Sequence, residues 1–131
     1  MVYRCLQAAE KLSEKGIEVT VLNARFVKPL DKELILELIR NHKLIITAED
    51  HALMGGFGSA VLELVSDERE NVNKILRMGI PDCFIEHGPR NLMLKNIGLD
   101  EGGIADKFIT TLDLMNIRGS FTKTGKQRLS V

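Results

Sequence analysis

The residues best suited to chemistry cluster in one stretch, Glu49-Asp50-His51, followed closely by Gly55-Gly56-Phe57-Gly58-Ser59. Carboxylates beside an imidazole suit proton transfer, or can accept a partner's hydrogen bonds. Consecutive residues of an extended segment point in different directions, however, so adjacency alone does not make these three a joint site. The glycines, with Ser59 opening a helical period, could cradle an anion against free backbone N–H groups and the positive end of a helix. A dinucleotide fingerprint is incomplete here, because Val61 stands where a third glycine belongs and Met78-Gly79 where an acid would close the following strand. The plainer reading is that Gly55, Gly56 and Gly58 let loop and helix pass close to a neighbouring backbone.

Arg25 is the best-placed single side chain. It follows an apolar strand and so projects from the same sheet edge as the glycine loop, where a guanidinium can grip a phosphate or carboxylate with two parallel hydrogen bonds. Its competing use is an ion pair with Glu49 or Asp50. No second histidine lies at ligand spacing, since His42 and His87 are isolated, and no metal site is expected. Cys5 and Cys83 have no base at a suggestive spacing and read as buried thiols.

The elements that must position these residues alternate. Residues 3 to 15 read as a helix with Leu6, Ala9 and Leu12 in an apolar stripe and Gly16 closing it. Ile17 to Leu22 reads as a strand, and Asp31 can cap a helix whose inward positions are Leu34, Ile35, Leu38 and Ile39. A buried strand over 44 to 48 leads into the glycine loop and a helix from about 57 to 68. Val72 to Met78 is a further strand, and Cys83-Phe84-Ile85 a short edge strand. Pro89 opens a brief helix ending at Gly98. A last helix runs from Asp100 to about Ile117 with Ile104, Phe108, Ile109, Leu112 and Met115 inward. Helices and strands alternating at this spacing imply an α/β fold: a mostly parallel sheet covered on both faces. A crossover unit normally begins with a strand, yet this sequence starts on a helix, so the first strand is expected to be missing and a sheet edge or groove left unsatisfied.

The 131 residues fit one domain, 1–117, with a core of ordinary size. The 18 basic and 18 acidic residues cancel, but Arg118, Lys123, Lys126 and Arg128 fall in a final stretch without acids, leaving a body of 14 bases against 18 acids. That balance argues against nucleic acid as a partner. No apolar run approaches a membrane span, and no secretory leader is visible, so a cytoplasmic protein is expected. Residues 118–131, rich in Ser, Thr, Gly, Lys and Gln, read as a disordered or extraneous tail.

Two longer motifs sharpen this reading: Asn23-Ala24-Arg25-Phe26-Val27-Lys28-Pro29-Leu30-Asp31, and Thr47 through Val61. Together with Gly79-Ile80-Pro81-Asp82, Phe84-Ile85, Gly98-Leu99-Asp100 and Gly102-Gly103-Ile104-Ala105, in that order, they resemble the carboxy-terminal domain of the 1-deoxy-D-xylulose-5-phosphate synthases, within the transketolase family. The resemblance spans about residues 1 to 117. It implies a three-layer α/β/α domain of a larger, homodimeric enzyme that uses thiamine diphosphate and Mg2+ to join pyruvate to D-glyceraldehyde 3-phosphate with loss of carbon dioxide, feeding isoprenoid and thiamine biosynthesis. It further implies that the arginine matching Arg25 helps bind the phosphate of the aldehyde. His51 departs from the pattern, which often has asparagine there, so a catalytic role for it is not expected. The glycine–aspartate–glycine segment that holds the cofactor and the glutamate that activates it belong to other domains. This chain is therefore expected to contain no catalytic residue and no cofactor or metal ligand, to be inactive by itself, and to have the remaining synthase domains as partners. The loop residues Glu49, Asp50, His51, Gly55, Gly56 and Gly58 would then support the site. The alternatives are a non-catalytic interaction module or split subunit, or the equivalent domain of a transketolase proper or a 2-oxoacid dehydrogenase.

Overall fold

The computed structural model describes residues 1–115 and the backbone of Leu129–Ser130. Along the chain it forms α1 (Val2–Ser13), β1 (Val19–Thr20), α2 (Lys32–Asn41), β2 (Ile45–Ala52), α3 (Phe57–Asp67), a 3-10 turn (Val72–Lys74), β3 (Ile75–Ile80), α4 (Arg90–Asn96), α5 (Glu101–Leu114) and β4 (Leu129–Ser130). The sheet order is β1-β4-β2-β3, and every pairing is parallel.

Parallel strands need crossovers, which place helices on both faces. On one face α1, α4 and α5 bury Cys5, Ala8, Leu12, Leu94, Ile104, Phe108 and Leu112 against Leu44, Ile46 and Met78. On the other, Ile35 and Ile39 of α2 and Val61 and Val65 of α3 cover Ile45. The α/β class and the three-layer arrangement are as expected from the sequence.

Several boundaries differ from the sequence-based expectation, each for a local reason. The buried stripe of α1 is Cys5, Ala8 and Leu12, rotated by about one residue from the expected one, and Leu6 is 47% exposed. In α2 the buried residues are Ile35, Leu36 and Ile39, with Leu34 and Leu38 only half-buried. Asp31 caps this helix as expected, accepting a hydrogen bond from Leu34 N at 3.2 Å. The strand expected over 17 to 22 narrows to Val19–Thr20, because a ladder extends only as far as its neighbour, and β4 supplies two residues. The Asn71 side chain accepts from Asn73 N at 3.0 Å, an Asx turn that postpones β3 to Ile75. Cys83–Ile85 is not a strand: a tight turn with Cys83 N donating to Pro81 O at 2.8 Å carries the chain off the sheet, and Phe84 is 92% exposed. In α5, Ile104, Phe108 and Leu112 are buried as expected, whereas Met115 follows the helix and is 36% exposed. Of the expected tail at 118–131, Leu129–Ser130 is instead a strand inside the sheet, and the other tail positions lie outside the described residues.

The two cysteines also part company. Cys5 is buried and burial pushes its thiol above the ordinary value, whereas Cys83 is exposed, contrary to the expectation of two buried thiols. The thiolate is the reactive form. A maleimide or disulfide reagent at neutral pH is therefore expected to modify Cys83 rapidly and Cys5 only after denaturant is added. Two fast equivalents in the native protein would contradict the packing of α1.

Candidate functional site

β2 carries the chemistry past the end of its regular pairing. Ala48 pairs with Met78 and Ala52 with Ile80, so Glu49, Asp50 and His51 together face the single residue Gly79. This bulge needs close approach: a Cβ on Gly79 would stand 3.0 Å from both Glu49 Cγ and His51 O. The expected loop at 49–52 is thus an irregular strand end, and Gly79 in the facing strand was the available signal for it.

The bulge turns Glu49 inward. Its carboxylate is buried and accepts hydrogen bonds from Phe57 N at 2.6 Å and Gly58 N at 3.0 Å, the first two N–H groups of α3. The residue before that helix is Gly56, which has no side chain to cap it. Glu49 therefore supplies the cap from the neighbouring strand, and its charge lies at the positive end of the helix. Gly56 and Gly58 are small for steric reasons. A Cβ on Gly56 would collide with Glu49 Oε2 and lie 2.5 Å from Ala52 O; one on Gly58 would lie 2.5 Å from Thr47 Oγ1. Since the leading N–H groups of α3 are engaged by a carboxylate of the same chain, this loop is packed on its own backbone rather than open to an anion.

The rest of the loop is tied in the same way. Gly55 takes a positive φ of 71° and donates to Ser59 Oγ at 3.1 Å. Arg77 of β3 donates to Ser59 Oγ at 2.7 Å and to Leu53 O at 3.1 Å. Sequence reasoning passed over Arg77; a cation inside an otherwise apolar strand was the only hint of it. Asp50 accepts from Arg90 at the start of α4, and His51 lies exposed with Nδ1 3.2 Å from Ala52 O. The acid-acid-imidazole run is thereby split three ways, into a buried cap, a surface ion pair and a solvated ring.

Arg25 stands apart from all of these. Glu49 is committed to α3 and Asp50 to Arg90, so neither forms the competing ion pair with Arg25. Among the described residues Arg25 makes no ion pair, and it is exposed. It lines a cavity of about 440 Å³ formed by the segment after β1 and the start of α2, including Phe26, Pro29 and Leu30. A neighbouring cavity of about 300 Å³ shares Leu22, Asn23 and Ala24 with it and reaches Glu49 and Asp50. The carboxyl ends of β1 and β2 thus share one recessed surface, where open α/β sheets bind their ligands.

Among the described residues no group of three or more His, Cys, Asp or Glu side chains could hold a metal ion. A diphosphate would need free N–H donors, and those of α3 are taken by Glu49. These residues do not fit a thiamine diphosphate–Mg2+ site. No described helix is long and apolar enough to cross a membrane.

A parallel sheet between helical layers, with a recess at the carboxyl ends of β1 and β2, defines an α/β domain. The family model for "Transketolase, C-terminal domain" matches residues 1–104, and the chain belongs to that family. It is 55% identical over 104 residues to 1-deoxy-D-xylulose-5-phosphate synthase 1 of Geobacter sulfurreducens, covering 79% of this chain and 16% of the relative. It is 47% identical over 120 residues to the 1-deoxy-D-xylulose-5-phosphate synthase of a Synechococcus species, covering 92% and 18%. Among solved structures it superposes on a chain described as split gene transketolase, inactive beta4 tetramer, with a TM-score of 0.77 and 31% identity, covering 86% of this chain and 36% of that one. The chain therefore spans about a sixth of the length of these synthases.

Proposed function

We propose that this chain is the carboxy-terminal domain of a 1-deoxy-D-xylulose-5-phosphate synthase and that Arg25 binds the phosphate of D-glyceraldehyde 3-phosphate during its condensation with pyruvate. The observation that carries the assignment to Arg25 is its exposed guanidinium, without an ion pair among the described residues, on a recess at the carboxyl end of the sheet. A fixed, planar cation there matches a phosphate dianion, and it is not neutralised by the nearby acids, which are engaged elsewhere. The aldehyde binds and is oriented through this charge; the other domains would hold the thiamine diphosphate and supply its chemistry. Glu49, Gly55, Gly56 and Gly58 act indirectly, by fixing α3 and the floor of the recess.

In a full-length synthase carrying this domain, Arg25→Ala is expected to raise KM for the aldehyde phosphate about tenfold, equivalent to ~1.4 kcal/mol of lost binding, with little change in KM for pyruvate. Arg25→Lys retains charge without the fork and should fall between. Equal effects on both substrates would refute the assignment.

The larger assembly is a homodimer in this reading, with the domain's surface contributing to its contacts, and a cytoplasmic enzyme of isoprenoid and thiamine biosynthesis. The domain alone is inactive, because the cofactor residues lie outside it. The likeness to a solved chain named a split gene transketolase favours a second form of the same proposal, in which the module is a separate subunit. Light scattering after size-exclusion chromatography, with and without the rest of a synthase, distinguishes the two.

A further inference from the structure

We infer, resting on the reading of Arg25 as a phosphate-binding residue, that Asn23 is a second one: its carboxamide NH2 donates to the same phosphate, and the pair makes the site prefer a phosphorylated aldehyde to an unphosphorylated one.

The chain after β1 holds the two residues together. Arg25 N donates to Asn23 O at 3.0 Å, a three-residue turn centred on Ala24. A turn this tight draws the backbones of its first and last residues toward each other, so Asn23 and Arg25 are presented as a pair fixed by the main chain. Both are exposed, and both line the cavity of about 440 Å³. Apart from one acid, Asp31, the rest of its lining is apolar and includes Leu22, Phe26, Leu34 and Ile35. In a recess of this composition the few polar groups decide what is held and how it is oriented.

The three polar side chains are not equally available. Asp31 Oδ1 accepts from Leu34 N at 3.2 Å and is committed to capping α2. The carboxamide of Asn23 makes no hydrogen bond among the described residues. Asn23 also lines the neighbouring cavity that reaches Glu49 and Asp50, but those carboxylates are engaged by the first N–H groups of α3 and by Arg90. A spare neutral donor therefore stands beside a spare cation.

That combination matches a phosphate monoester. A guanidinium fork can take two phosphate oxygens with parallel N–H groups, and an amide NH2 from the flank can take the third. Asp31 partly offsets the charge of Arg25 within the cavity, so donors that carry no charge of their own must supply part of the hold on an anion. An unphosphorylated aldehyde brings a hydroxyl to the same place and leaves most of these donors unfilled.

The test uses a full-length synthase carrying this domain, assayed with D-glyceraldehyde 3-phosphate, with unphosphorylated D-glyceraldehyde, and for inhibition by inorganic phosphate. Asn23→Ala is expected to lower kcat/KM for the phosphorylated aldehyde about fivefold, through KM, and to weaken phosphate inhibition by a similar factor. The unphosphorylated aldehyde and the KM for pyruvate should be unchanged. Asn23→Asp has nearly the same shape but sets a carboxylate against the phosphate, and it should lower kcat/KM for the phosphorylated aldehyde roughly twentyfold. Asn23→Gln keeps the amide and should fall between the parent and the alanine variant. Equal losses for the two aldehydes, or phosphate inhibition unchanged in both Asn23→Ala and Asn23→Asp, would overturn the inference. Arg25→Ala in the same assays separates the two assignments. If it loses only the phosphorylated aldehyde while the Asn23 variants match the parent, Asn23 is not a phosphate ligand and Arg25 stands. If the Asn23 variants discriminate between the aldehydes and Arg25→Ala does not, the assignment to Arg25 fails and Asn23 stands.

Discussion

Replacing Glu49 by alanine is expected to destabilise the domain by about 3 kcal/mol, since hydrogen bonds to a charged group contribute roughly 1.5–3 kcal/mol each and this one carboxylate accepts two. For a domain of this size that corresponds to a melting temperature lowered by roughly 10 °C. Two features place the effect at the high end of the usual range for single substitutions. Glu49 as a whole is only 7% exposed, so water cannot readily take over its two bonds. Its partners are the leading N–H groups of a helix whose own cap residue, Gly56, offers no side chain. Glu49→Gln tests the charge separately. It keeps one acceptor oxygen but aims an NH2 group at a second N–H donor, and it should cost about half as much, roughly 1–2 kcal/mol. The measurement is chemical or thermal unfolding of both variants. If Glu49→Ala melts with the parent protein, α3 is capped in some other way. In the full-length enzyme the same substitution should lower stability before it alters any pH profile, because Glu49 touches backbone N–H groups rather than a titrating substrate.

This result bears on how much of the site could be read from the sequence. Periodicity located α1, α2, α3 and α5, because burying one apolar stripe is a local constraint that the spacing of Leu, Ile and Ala records directly, whereas α4 was bracketed by Pro89 and Gly98. The cap at Asp31 and the helix end at Gly98 were legible for a similar reason: each works within four residues. Glu49 was recognised as important but given the wrong partner. Its cap acts across eight and nine residues, and only the bulge opposite Gly79 turns the side chain under α3 rather than toward Arg25. The same non-locality hid the ion pair of Asp50 with Arg90, 40 residues away, and the grip of Arg77 on Leu53 and Ser59. The place of Leu129–Ser130 in the sheet was the least legible feature, because a polar, basic composition gives no strand signal and only the neighbouring strands can create one. Arg25 was placed correctly at the sheet's carboxyl end by chain order alone, but its freedom from Glu49 and Asp50 required the structure.

At the opposite end of the chain, two adjacent glycines are expected to respond to the same substitution with opposite signs. Gly102 and Gly103 both lie in the first turn of α5, behind the cap formed by Asp100, whose side chain accepts from Gly103 N at 2.9 Å. A Cβ on Gly103 would lie 2.5 Å from Gly98 O, 2.6 Å from Gly98 C and 2.6 Å from Gly98 Cα, all backbone atoms with no rotamer to yield. Gly98 cannot easily retreat. It holds a positive φ of 71° at the close of α4, and the next residue, Leu99, is buried with its N–H bonded to Leu94 O at 2.8 Å. Relieving the clash means shifting α5 against α4, and with it Ile104 and Phe108 in the main core. Overpacking of this kind typically costs 1–3 kcal/mol, and a backbone-only contact belongs at the upper end, so Gly103→Ala should destabilise by about 3 kcal/mol. A Cβ on Gly102 meets nothing nearer than Asp100 Oδ2 at 3.8 Å, an ordinary contact. There alanine only narrows the unfolded chain's freedom and improves helix propensity, so Gly102→Ala should stabilise by up to about 1 kcal/mol. Unfolding of the two variants side by side isolates the packing effect, because composition and helix position are nearly identical. A destabilised Gly102→Ala, or a Gly103→Ala as stable as the parent, would show that the α4–α5 junction is not the rigid contact that its geometry describes.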